Sequence, residues 1–229
     1  MNVIEIKDLV KIYNGGEVQV KAVNGITINF EEGEFTAIVG PSGSGKTTFL
    51  NMLGGLDRPT SGQVKIGGTD IWKLSSRKLI DFRMNNIGFV FQSYNLIPVL
   101  TAGENVEFIM HLQGKPKKER ENRTKELLEA VGIGDRMKSR PSKLSGGQQQ
   151  RVAVARALAS KPEFILADEP TANLDSNSTT DLLELMAQMN KKFSTTFIFA
   201  THDQRVMDKA RRIITIEDGK ILSDERFNR

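Results

Sequence analysis

Eight consecutive residues, Gly40-Pro41-Ser42-Gly43-Ser44-Gly45-Lys46-Thr47, fit the pattern G-x-x-x-x-G-K-[ST]. Glycines at that spacing let a backbone wrap until successive N–H groups converge on anionic oxygens. The lysine adds a cation for β- and γ-phosphates, and the threonine hydroxyl adds an oxygen ligand for Mg2+. Gly40, Ser42, Gly43, Ser44, Gly45, Lys46, Thr47 and Thr48 are therefore the candidate phosphate cradle. A second constellation is Asp168-Glu169, two adjacent carboxylates that end the apolar run Phe164-Ile165-Leu166-Ala167. Asp168 suits Mg2+ held in part through water, and Glu169 suits the orientation and polarisation of an attacking water. Alone, such a pair reads as a solvated loop; in a chain with a phosphate loop it reads as catalytic. A third stretch, Leu144-Ser145-Gly146-Gly147-Gln148-Gln149-Gln150-Arg151, opens a helix with Ser145 as its N-cap. A Ser-Gly-Gly helix start is a second anion nest, and what it binds is an open question at this point.

Such groups need rigid elements to hold them. Residues 35–39 are apolar on both faces and predict a buried parallel strand feeding the phosphate loop, and 46–53 predict the helix leaving it. Residues 3–6 and 26–30 alternate apolar with polar, as half-buried antiparallel strands do, with turns at Gly15-Gly16 and Glu31-Glu32-Gly33. Residues 62–68 predict an edge hairpin, and 87–91 a short buried strand ended by Gln92. Helical texture then runs from 93 to about 158, with one helix over 119–131 and another behind Ser145. Strands return at 164–167 and 197–200 around a helix over 179–189. Residues 213–216 and 220–222 predict a closing hairpin across Asp218-Gly219.

Composition narrows the classes. Lys+Arg 32 against Asp+Glu 28 leaves a net charge of +4, which permits nucleic-acid or anionic-membrane binding without demanding it. The absence of cysteine removes disulfides, thiolate metal sites and thiol nucleophiles together. No run approaches the roughly 18 apolar residues of a membrane span. The first eight residues mix charge with apolar side chains and do not form a signal peptide. The expected location is the cytoplasm, with any membrane link made through a partner. Charges over 115–125 interleave in sign and predict a solvated helix face. Arg136, Lys138, Arg140, Lys143 and His111 read as surface residues, and Trp72 as a packing residue.

Over essentially its whole length the chain resembles the ATP-binding cassette (ABC) ATPases. The resemblance implies an α/β P-loop NTPase fold: a RecA-like core with an antiparallel β subdomain, and a helical subdomain inserted between the Q-loop and the signature motif. It implies a single domain over 1–229, with a core lobe of 1–92 and 159–229 and a helical lobe of 93–158. In the family, Leu144-Ser145-Gly146-Gly147-Gln148 is the signature motif, and Ser145, Gly146, Gly147 and Gln148 complete the ATP site of a second copy. Two copies then pair head to tail in an ATP-dependent homodimer. Tyr13 falls where an aromatic stacks on adenine, although the residue alone could equally pack under the sheet. Gln92 matches the Q-loop residue that senses Mg2+ or the attacking water and connects to the transport partner. Asn173-Leu174-Asp175 resembles the D-loop, with Asp175 across the dimer interface. His202, after Phe197-Ile198-Phe199-Ala200-Thr201, matches the histidine that contacts the γ-phosphate. The implied catalytic set is Glu169, His202, Lys46 and Gln92, with Thr47, Gln92 and Asp168 around Mg2+ and ATP as the nucleotide.

Finer motifs point to one subfamily. Gly88-Phe89-Val90-Phe91-Gln92, Asn95-Leu96-Ile97-Pro98 and Thr101-Ala102-Gly103-Glu104-Asn105-Val106 resemble the ATPases of lipoprotein-release and macrolide-export systems, with the cell-division ATPase as a cousin. Gly54-Gly55-Leu56-Asp57-Arg58-Pro59-Thr60-Ser61-Gly62 and Glu169-Pro170-Thr171-Ala172 agree. Arg140-Pro141-Ser142-Lys143 lacks the Gly-Glu-Arg-Gly pattern of fused drug exporters, and the short stretch after the closing hairpin argues against an importer's regulatory domain. The resemblance implies an ATP-hydrolysing subunit bound to an integral membrane permease, peripheral on the inner face of the membrane, with no nucleic acid. Cassette proteins of nucleic acid or ribosomes resemble tandem or coiled-coil-split cassettes, which this chain does not. A division-type role, in which hydrolysis signals without moving cargo, stays open.

Overall fold

The computed structural model describes residues 1–15 and 18–227; Gly16 of the turn expected at Gly15-Gly16 lies outside the described residues. The alternating N-terminal stretches become an antiparallel sheet. β1 (Asn2–Gly15) pairs with β2 (Val18–Glu31) and with β4 (Ser61–Ile66), and β4 pairs with β5 (Thr69–Asp70). Val3, Ile4, Ile6 and Leu9 of β1 are buried while Glu5, Lys7 and Asp8 face out. The pairing shifts register between Ile6 and Leu9, a bulge that breaks strict alternation. β1 is therefore longer than its sequence pattern suggests.

The second sheet has the order β10-β9-β3-β8-β7-β6. β3 (Phe35–Val39), β6 (Ile87–Phe91), β7 (Phe164–Asp168), β8 (Thr196–Ala200) and β9 (Arg212–Glu217) run parallel, and β10 (Lys220–Arg226) closes an antiparallel hairpin with β9. The central strands are largely apolar, with Thr36 and Thr196 buried among them, because each face meets a different core. Phe35, Ala37, Ile165, Ala167, Phe197 and Phe199 join one cluster, whereas Ile38, Phe164, Leu166, Ile198 and Ala200 join the other. A period-2 strand packed on both sides has no polar face to show. Phe35, Phe197 and Phe199 contact one another, with centroids 4.7 to 6.0 Å apart. Each buried ring contributes roughly 2–3 kcal/mol.

Helices cover both faces. α1 (Lys46–Leu53) buries Phe49, Leu50, Met52 and Leu53 in the cluster shared with the antiparallel sheet, and α2 (Ser76–Asn86) lies above it. α3 (Ala102–Leu112), α4 (Lys117–Ala130), α5 (Gly146–Ala159), α6 (Ser176–Phe193) and the short α7 (Gln204–Lys209) complete the chain. Val106, Leu127 and Leu128 belong to the same cluster as Phe197 and Phe199, so α3 and α4 share a continuous core with the sheet. Two helices carry full capping boxes, Thr101 with Glu104 and Ser145 with Gln148. The interleaved charges of α4 do form ion pairs along an exposed face, Lys117 with Glu121 and Lys125 with Glu129. Trp72 is half-buried against the second cluster. Among the described residues, no helix is long and apolar enough to cross a membrane.

Candidate active site

The parallel strands β3, β6, β7 and β8 end at one edge of the sheet, and the candidate residues lie just beyond those ends. The phosphate loop follows β3, Gln92 follows β6, Asp168-Glu169 ends β7, and His202 follows β8. Ligands of open α/β sheets bind at such carboxyl edges. A cleft of about 630 Å3 is lined by Gly40, Ser42, Lys46, Gln92, Glu169 and His202 among others, including Ala22 of β2, for which the sequence offers no signal.

The loop's shape depends on glycine at two positions. Gly45 caps α1 with φ +100°, and a Cβ there would sit 2.1 Å from the Ala22 carbonyl oxygen. At Gly40 a Cβ would sit 2.0 Å from the Ile216 carbonyl oxygen. The tip of the β9–β10 hairpin packs underneath: the Gly219 N–H donates to Ser44 O (3.1 Å) and the Asn24 N–H to Gly219 O (2.8 Å). Lys46 is 9% exposed and donates from Nζ to Gly40 O (2.8 Å) and Pro41 O (2.9 Å), which folds the ammonium over its own loop. Ser44 Oγ is buried without a hydrogen-bond partner. The loop thus holds a shielded cation, a spare hydroxyl and the positive end of α1, which together suit a polyphosphate.

The acidic end of β7 faces this loop. Thr47 Oγ1 donates to Asp168 Oδ1 (3.1 Å). Burial pushes the Asp168 carboxyl up and the neighbouring Glu169 adds to it, against the Thr47 hydroxyl and the Lys46 charge. A half-buried carboxylate beside a hydroxyl is a hard-oxygen pair of the kind Mg2+ takes, with water and phosphate oxygens filling the rest of its shell. Among the described residues no group of three or more His, Cys, Asp or Glu could hold a metal ion. Glu169 has a left-handed backbone, φ 45°, fixed by its N–H to Ala200 O (2.9 Å). Its carboxylate meets His202 Nδ1 at 2.7 Å and accepts from Thr201 Oγ1 at 3.1 Å. Thr201 is a site residue that sequence reasoning missed, because a threonine before a histidine carries no pattern of its own.

Gln92 is exposed at the cleft, and its carbonyl accepts from Asn173 Nδ2 (3.0 Å). Behind it, Tyr94 and Asn95 both adopt positive φ, and Arg156 of α5 donates to both of their carbonyls. Asp175 caps α6, accepting from Ser178 N (2.9 Å) and Ser178 Oγ (2.6 Å); that bond lowers its carboxyl pKa. Tyr13 stands on β1 with 41% of its surface exposed, so it does not pack under the sheet. Within one chain the second anion nest is elsewhere. Ser145, Gly147 and Gln148 line another hollow with Arg151, Ser178 and Asp181, and none of these residues borders the phosphate-loop cleft.

The family model described as ABC transporter matches residues 23–172. A Thermotoga maritima protein described as an ABC transporter ATP-binding protein is 52% identical over 224 residues, covering 98% of this chain and 95% of its own. The macrolide export ATP-binding/permease protein MacB of Hyphomonas neptunium is 48% identical over 221 residues, covering 96% of this chain and 34% of its own length. The chain therefore spans about a third of that relative. Among solved structures, the dimeric post-hydrolysis state of the ATP-binding cassette MJ0796 bound to ADP and Pi superposes with a TM-score of 0.89 at 41% identity, covering 99% of each chain.

Proposed function

The chain belongs to the ABC transporter family of ATP-binding subunits, and from that premise we propose that it drives a membrane complex of the lipoprotein-release or macrolide-export type. It is an ATPase with the P-loop NTPase fold. The observation that carries the mechanism is the Glu169 carboxylate, which His202 and Thr201 hold at the cleft that Lys46 and the phosphate loop also line.

ATP is bound by its triphosphate over Gly40, Ser42, Gly43, Ser44, Gly45, Lys46, Thr47 and Thr48, where backbone N–H groups and the α1 dipole face the oxygens. Lys46 exchanges its loop carbonyls for β- and γ-phosphate oxygens. Thr47, Asp168 and Gln92 would hold Mg2+, whose charge offsets that of the phosphates. Glu169 orients a water in line with the γ-phosphorus and accepts its proton. As the water oxygen bonds to phosphorus, the bridging P–O bond breaks, ADP leaves with the electron pair, and the proton passes to phosphate. His202 keeps Glu169 aimed and contacts the γ-phosphate.

A second copy completes the site. Its Ser145, Gly146, Gly147 and Gln148 close over the γ-phosphate of the first chain, and Asp175 crosses the interface. Two features support this reading: the separation of the two anion nests within one chain, and the dimeric form of the MJ0796 cassette. The membrane partner is proposed from the MacB relatives, whose name joins an ATP-binding and a permease part and of which this chain matches a third. Through that permease the chain sits on the inner face of the membrane, with Gln92 as the link between nucleotide and partner.

Glu169→Gln tests the assignment. The amide keeps the shape and loses the base, so turnover should fall by about 10²–10⁴-fold while ATP still binds. The variant should accumulate an ATP-bound dimer on size-exclusion chromatography. Wild-type turnover in that variant overturns the role of Glu169.

A further inference from the structure

Tyr13 is held by a clamp outside the cleft. Its phenol donates to Asp57 Oδ2, and Lys11 Nζ donates to Asp57 Oδ1. One carboxylate thus grips two residues spaced i, i+2 on β1, whose side chains share a face of the strand. Lys11 Nζ also lies 4.8 Å from the centroid of the Tyr13 ring and donates to Arg58 O (2.7 Å). The ammonium lies over the ring, while Tyr13 as a residue stays 41% exposed. An aromatic ring gripped in this way is a rigid platform, not a side chain free to change rotamer.

The grip leads directly to the phosphate loop. Asp57 follows the C-cap of α1, and its N–H donates to Asn51 O of that helix (3.2 Å). The next residues are stitched to β1 as well: the Thr60 N–H donates to Val10 O (2.8 Å), and the Ile12 N–H to Thr60 Oγ1 (3.0 Å). The helix that starts at Lys46 therefore fixes, through its C-terminal continuation, where the Tyr13 ring stands. Electrostatics agree with a formed clamp. Burial alone would raise the Asp57 carboxyl, yet the hydrogen bonds from Lys11 and Tyr13 hold it below the ordinary carboxylate value. Burial and Asp57 together raise the Tyr13 phenol, with the Thr48 hydroxyl and Lys11 opposing. Thr48 borders the cleft, so the phenol lies next to the site.

We propose that Lys11 and Asp57 are positioning residues for the base of the nucleotide, acting by holding the Tyr13 ring at a fixed place and tilt relative to α1. This rests on the reading of Tyr13 as the ring on which the base stacks. The test compares ATP with inorganic tripolyphosphate, which offers the same phosphate chain without a base, by calorimetric titration of the full chain. Stacking on an aromatic is worth enough that Tyr13→Ala should weaken ATP by about 10-fold and leave tripolyphosphate unchanged. Asp57→Ala and Lys11→Met should each weaken ATP by about 3–10-fold, again without touching tripolyphosphate. Tyr13→Phe, which keeps the ring and loses the anchor, should match Asp57→Ala, and the double variant should be no worse than either alone. A general loss of fold would weaken both ligands together, and that result overturns the positioning role. Selective loss in Tyr13→Ala with wild-type ATP binding in Asp57→Ala and Lys11→Met also overturns it, while sparing the stacking role. An unchanged ATP-to-tripolyphosphate ratio in Tyr13→Ala sinks both.

Discussion

Glu169 sits in a backbone region that costs a non-glycine residue about 1–2 kcal/mol. The cost is borne because β7 and β8 run side by side: Asp168 pairs with Ala200, and the Glu169 N–H reaches Ala200 O. The turn this enforces puts Asp168 beside Thr47 and Glu169 beside His202, so that two neighbouring carboxylates face different partners. The phosphate loop shows the opposite case, a positive φ that only glycine meets cheaply. Gly45→Ala combines an unfavourable φ with a methyl 2.1 Å from a carbonyl oxygen. We expect it to destabilise the chain by roughly 3 kcal/mol and to abolish ATP binding in the fraction that folds. A urea melt and a nucleotide titration check this; a wild-type midpoint together with wild-type affinity would contradict it.

At the scale of elements, α5 separates folding from function. Ser145 and Gln148 close the capping box, and Gly147 lies within the first turn. A Cβ at Gly147 would meet Ser178 Oγ at 3.4 Å, which is ordinary contact, while one at Gly146 would meet the Tyr94 hydroxyl at 2.8 Å. Gly147→Ala should therefore leave the monomer as stable as wild type, or more stable by up to about 1 kcal/mol from helix propensity. If the nest receives the γ-phosphate of a second chain, the same methyl should remove the ATP-dependent dimer seen by size-exclusion chromatography. An intact dimer would count against the nest. This helix was legible in sequence because its cap is local, and so were the strands over 35–39 and 87–91 and the helix over 46–53, whose bounds match β3, β6 and α1. α2 was not legible, since none of its residues is fully buried and its core-facing side is only Leu79 and Phe82. The Lys11–Tyr13–Asp57 clamp was equally hidden, because 44 positions separate tyrosine and carboxylate and only the fold joins them. Motif residues show through the sequence because the chemistry fixes their spacing. Positioning residues need only converge in space.

At the scale of the molecule, one side chain ties the two sheets together. Arg212 of β9 is 5% exposed; it donates to Asn29 O in β2 (2.8 Å), to both Glu34 carboxylate oxygens (3.0 Å) and to Asp224 of β10 (2.7 Å). Its guanidinium also lies 5.3 Å from the Phe30 ring centroid. The antiparallel sheet carries Tyr13 and the parallel sheet carries the phosphate loop, so this junction keeps the halves of the site in register. The hydrogen bond from Arg212 holds the Asp224 carboxyl below its ordinary value, against the effect of burial. A carboxylate whose folded pKa is depressed contributes stability above its unfolded pKa and loses it as the pH falls through the folded value. Arg212→Met keeps the stem and its packing but takes the guanidinium from Asp224 and leaves Glu34 with the Arg226 guanidinium, at 3.3 Å. The expected cost near neutral pH is about 3 kcal/mol, the lower end for a broken buried pair because Asp224 is partly solvated. Urea melts of both proteins should show that difference constant between about pH 6 and 8 and shrinking below about pH 4, as Asp224 protonates in the wild type. A gap that stays constant through the acid range would assign the loss to the guanidinium's contacts with the Phe30 ring and Asn29 O instead of to the ion pairs.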